Sequence, residues 1–161
     1  MIHTTSLILT AFLTLVVAQA RTPDSQPESA QVNAAAIESQ SATAPSVRFA
    51  TVDIYVDSGD QPLAAYQCEL TAEQNGVKIV GIEGGEHAAF RDPPYYDPAA
   101  LMNRRVILAA FNTGADLPKG KSRVARVHVR IAGDAEPQYE LTLIAAGAPD
   151  GRRIDVKLST K

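Results

Sequence analysis

Apolar and polar residues alternate along most of the chain from Ala50 to Leu158, in short segments separated by turn-forming residues. Seven segments carry the period of two that sends successive side chains to opposite faces of a strand. They are 50–57, 63–71, 76–83, 104–112, 123–132, 138–146 and 152–159. In the first, Val52, Ile54 and Val56 share one face, and Asp53, Tyr55 and Asp57 take the other. In the second, Tyr66, Cys68 and Leu70 point one way. Segment 104–111 is apolar on both faces, which predicts a central strand covered on both sides. Ser58-Gly59-Asp60-Gln61-Pro62 and Gln74-Asn75-Gly76 read as turns, because Gly and Asn accept positive φ cheaply. No long stretch has a helical period. Only 97–102 suits a single helical turn, with Asp97 as N-cap and Pro98 as its first residue. Many short strands at this spacing predict an all-β sandwich or barrel.

The N-terminal part lacks this pattern. Residues 7–17 are an apolar run too short to span a bilayer, and Ala18-Gln19-Ala20 follows as a small-x-small cleavage pattern. The expectation is a signal peptide over 1–20, although its first residues contain no Lys or Arg. Residues 21–46 are rich in Ala, Ser, Gln and Pro and have no aromatic side chain. Such a segment buries too little surface to offset its ordering entropy, so it reads as a flexible tether. The folded domain is expected over 47–161, large enough for a core without staples. Cys68 is the only cysteine, which excludes an internal disulfide and suits a small core hydrophobe. With no second apolar run of membrane length, the chain is expected to be exported to the cell envelope or outside the cell. A net charge of -3 gives no sign of nucleic-acid binding.

The order of segments resembles a known family. An apolar strand (Val52 to Val56) precedes Pro62-Leu63-Ala64-Ala65-Tyr66-Gln67-Cys68-Glu69-Leu70, a strand that opens with small residues. A strand over 77–82 then runs into Gly84-Gly85 with Phe90 soon after, and a strand from Arg105 leads through a Gly-containing loop to one that begins just past Lys119-Gly120. This looks like a cohesin domain, related to carbohydrate-binding modules. The resemblance implies a jelly-roll β-sandwich of about eight or nine strands and a non-catalytic binding role. Cohesins commonly carry Tyr-Asp-Pro after the early strand, where this chain has Thr71-Ala72-Glu73. Its own Tyr96-Asp97-Pro98 lies in a later loop. Dockerin binding is therefore not carried over.

The segment 84–98 concentrates a histidine, acids, an arginine and three aromatics. A loop of this length in a compact domain calls for an explanation. One reading makes it a recognition loop using Arg91, Tyr95, Tyr96 and Asp97, since Tyr and Arg are favoured interface anchors. The other makes it a plug, with Phe90 and the tyrosines closing one end of the sandwich and Arg91 tied to Asp92 or Asp97. Glu83, Glu86, His87 and Asp92 match no established metal-ligand spacing, and no cofactor is expected. No nucleophile motif stands out. Arg126, His128 and Arg130 form a basic row, read as a solvated face paired with Asp53, Asp57 or Glu69 on a neighbouring strand. The expected activity is protein binding by a monomer, with a polysaccharide ligand as the alternative. The chain has no Trp, and Tyr55 is the one strand-face aromatic suited to a sugar besides the loop tyrosines.

Overall fold

The computed structural model describes residues 46–134 and 136–161. The signal peptide expected over 1–20 and nearly all of the tether expected over 21–46 lie outside the described residues. The domain is a sandwich of two antiparallel sheets. Its strands are β1 (Val47–Asp57), β2 (Ala65–Ala72), β3 (Val77–Gly84), β4 (Arg105–Phe111), β5 (Lys121–Ala132), β6 (Tyr139–Gly147) and β7 (Lys157–Thr160). One sheet has the order β3-β5-β1-β7, the other β4-β2-β6. Every connection between consecutive strands therefore crosses from one sheet to the other. The described residues hold seven strands, against the eight or nine that the resemblance implies.

Alternation explains the core. Val52, Ile54 and Val56 on β1, Tyr66, Cys68 and Leu70 on β2, and Val127, Val129 and Ile131 on β5 all point between the sheets and are buried. The thiol of Cys68 is fully enclosed, and burial pushes its pKa up to about 12. Native protein should therefore resist a thiol reagent such as DTNB at neutral pH and react only once denatured, because the nucleophile is the thiolate. Rapid native labelling would contradict this packing.

Two expectations change. Segment 104–112 is not a central strand: β4 is an edge of the three-stranded sheet, with Ile107 and Phe111 exposed. An apolar run looks the same whether its outer face is covered or bare. The last segment is shorter than expected. Regular pairing begins at Lys157, while Ile154 is buried from an irregular approach in which Arg153 bridges Gly147.

The outer face of the four-stranded sheet is charged. Arg126 makes a bidentate pair with Asp53 at 2.6 and 2.9 Å, and Arg123 lies 3.9 Å from the same carboxylate. The hydrogen bond from Arg126 holds the Asp53 carboxyl below the usual range. His128 Nε2 lies 2.9 Å from Glu83. Two members of the basic row are thus paired: Arg126 with Asp53, one of the three acids expected, and His128 with Glu83, which was not among them. Asp57 instead accepts from the Gly59 amide, and Glu69 belongs to the other sheet, where Arg105 binds it. The Lys121 ammonium sits 4.8 Å over the Tyr55 ring and occupies that aromatic face.

Candidate functional site

The segment 84–98 divides into two parts with different roles. Its first part is a plug. Phe90 is 3% exposed and meets Tyr66 edge to face, with centroids 5.3 Å apart at 76°. Burial pushes the Tyr66 hydroxyl pKa up, and that hydroxyl donates to the Val124 carbonyl at 3.0 Å. A single 3₁₀ turn, Ala88–Phe90, carries the phenyl ring inward. His87 caps this turn, its Nδ1 accepting from the Ala89 amide at 3.2 Å. Asn112 donates to the Ala89 carbonyl and Glu86 accepts from the Arg123 amide, both at 3.0 Å. The Gly84-Gly85 pair permits this close path. A Cβ at Gly84 would lie 1.9 Å from the Arg91 carbonyl oxygen, and one at Gly85 2.3 Å from that of Arg123.

The second part runs along the open edge of β4. Tyr95 donates its amide to the Ala109 carbonyl at 2.8 Å and accepts from the Ala109 amide at 3.0 Å. It acts as a one-residue extra strand. Its ring is 70% exposed and lies nearly parallel to that of Phe111, itself 66% exposed, at 6.2 Å and 12°. Beside this pair the outer face of the sheet is floored by small residues. Cross-strand rows run Phe111–Ala65–Gly147 and Ala109–Gln67–Ala145. They bound a shallow groove of about 240 Å³. No side-chain hydrogen bond holds the Gln67 amide among the described residues, so it is available to a ligand. Farther along the face comes a charged rim, where Arg105 binds Glu69 through two nitrogens. That bond holds the Glu69 carboxyl below its usual range.

The four residues read from the sequence as a set do not act as one. Tyr95 is presented outward, whereas Tyr96 is half-buried and packs against the core. An extended backbone sends neighbours to opposite sides. Asp97 is committed to capping the turn Pro98–Ala100, its carboxylate accepting from the Ala99 amide at 2.9 Å. Pro98 opens that turn, as expected. Arg91 is exposed and makes no ion pair among the described residues, so the expected tie to Asp92 or Asp97 is not formed. Phe111 was missed as a site residue because its segment reads as covered on both faces. The available signal was parity: Phe111 falls out of step with Val106 and Leu108, which point into the core.

A search against family models, curated proteins and solved structures finds no match. The chemistry of the site therefore rests on its own geometry. A larger cavity of about 670 Å³ lies between the β3 and β4 edges, beside Lys78, Asp97, Asn103 and Arg104. Most of its charged groups are engaged already. Arg104 donates to the Ala72 and Glu73 carbonyls, Arg105 binds Glu69, and Asp97 caps its turn. Among the described residues no three His, Cys, Asp or Glu side chains gather into a metal-binding group.

Proposed function

We propose that this chain is an exported, non-catalytic binding module of cohesin-like, jelly-roll build, and that its partner is a protein. The partner docks on the outer face of the β4-β2-β6 sheet around Tyr95 and Phe111. The observation that carries this reading is an aromatic pair that is exposed and yet held in place. Two backbone hydrogen bonds fix Tyr95, and stacking fixes its ring against Phe111. Such preorganised aromatics lose little entropy on docking and are typical interface anchors. The jelly-roll part of the reading is supported by the strict alternation of consecutive strands between the two sheets.

The non-catalytic reading is supported by where the reactive groups are spent. Cys68 is buried, His128 faces Glu83, and His87 caps a turn. A polysaccharide is the second reading, favoured by the near-parallel rings beside a neutral floor and the available Gln67 amide. Sugar rings stack on such aromatic faces while amides bind their hydroxyls.

Tyr95→Ala should weaken partner binding about 5- to 150-fold, about 1–3 kcal/mol, while changing stability by less than about 1 kcal/mol. Pull-down from the native secretome with wild-type and variant bait, alongside a glycan array and a denaturant melt, tests this. Capture that survives both Tyr95→Ala and Phe111→Ala would remove this face from the account. Glycan retention lost in the same variants, with no protein captured, would select the second reading.

A further inference from the structure

The first half of β1 is an open sheet edge whose outward groups are neutral. The Asp53 amide donates to the Lys161 carbonyl at 2.9 Å, and the Lys161 amide returns a bond to Asp53 at 3.0 Å. The backbone of Asp53 therefore points toward the β7 side. The period of two then sends the N–H and C=O groups of Thr51, Phe49 and Val47 the same way. The Ser46 carbonyl, one step out of phase, accepts from Gly133 on the β5 side, as this parity requires. Regular pairing with β7 covers only Ile54 to Asp57. Nothing pairs the outward groups of Val47, Phe49 and Thr51 among the described residues. On the same stretch Phe49 is 71% and Val47 45% exposed.

Three of the other edges, β4, β3 and β6, are engaged at single points. Tyr95 bonds to Ala109 on β4, and Met102 and Asn103 bond to Ile79 on β3. Arg153 donates to the Ile144 carbonyl on β6. Edges left bare are normally guarded by charge, proline or a bulge. Here the outward residues are Val, Phe and Thr, all strong strand formers.

We infer that this edge pairs with the same edge of a second copy of the chain, antiparallel and two-fold about Phe49. The register is self-complementary. Phe49 lies opposite Phe49 of the second copy, and Val47 opposite Thr51, so about six new backbone hydrogen bonds form with each outward group used once. On the other face Arg48 lies opposite Ala50, a small partner that leaves room for its stem. Arg48 brings its own counter-ion, Glu136 at 2.9 Å. No like charges meet directly across the junction. Any other strand would have to match this short window, which closes where Lys161 occupies Asp53. The monomer expected from sequence thus becomes a weak two-fold dimer. This surface is on the opposite sheet from Tyr95 and does not depend on the reading of that site.

Sedimentation equilibrium of the full chain, from about 10 to about 500 µM, the range of weak small interfaces, tests the inference. The wild type should shift from monomer to dimer with concentration. Phe49→Lys should remain monomeric throughout. Thr51→Pro should also remain monomeric, because it deletes one outward N–H and leaves the β5 ladder intact. Tyr95→Ala should dimerise like the wild type. As a readout free of variants, exchange of the Phe49 amide should slow as the wild-type concentration rises. A wild type that is monomeric throughout, a Thr51→Pro chain that dimerises normally, or a Phe49 amide indifferent to concentration would each overturn the inference.

Discussion

Replacing Phe90 by alanine should destabilise the domain by about 3–5 kcal/mol, the cost of emptying an enclosed aromatic site. Phe90 is nearly inaccessible and gives its edge-to-face contact to Tyr66, whose hydroxyl is anchored on β5. The surrounding strands are tied by regular ladders and cannot collapse onto the void. A denaturant melt with an unchanged m-value checks the figure. A loss below about 1 kcal/mol would show that the ring is peripheral, since surface changes fall in that range. Tyr95→Ala in the same assay should stay near wild type, separating the plug from the presented part of the segment.

Gly84→Ala should cost about 3 kcal/mol, the upper range for forced overpacking. The added methyl would sit 1.9 Å from the Arg91 carbonyl oxygen and 2.6 Å from that of Asp92. Both are backbone atoms, so no side-chain rotation relieves the clash, and the chain beyond Phe90 must move. Gly81→Ala is the control. Its nearest contact would be His128 Cβ at 3.6 Å, ordinary van der Waals distance. That variant should match or slightly exceed wild-type stability, since alanine lowers the entropy of the unfolded chain. Equal losses in the two variants would mean that glycine's general flexibility, rather than the close approach at Gly84, is what matters.

The sandwich itself was legible because burial imposes a period of two. Val52, Ile54 and Val56 could be assigned to a core face without coordinates, and so could Tyr66, Cys68 and Leu70. The plug role of Phe90 and the cap role of Asp97 were also legible, since a fully apolar ring seeks the core and Asp-Pro marks a helical start. The candidate site was legible only in part. Tyr95 stood out as an aromatic in a long loop, but Tyr96 and Asp97 stood out equally, and nothing in their order separates a presented ring from a packed one.

What the chain alone determined, then, is which residues alternate, where it turns, and the pairing of Asp53 with the basic row as one of three stated options. Tertiary structure decided the rest, because sheet order is set by partners distant in sequence. The position of β4 at an edge turned Phe111 from a supposed core residue into the companion of Tyr95. The early end of β7 pairing left Phe49 on an open edge. Periodicity records how a side chain faces its own strand; only the assembled sheets decide whether another layer or another strand covers it.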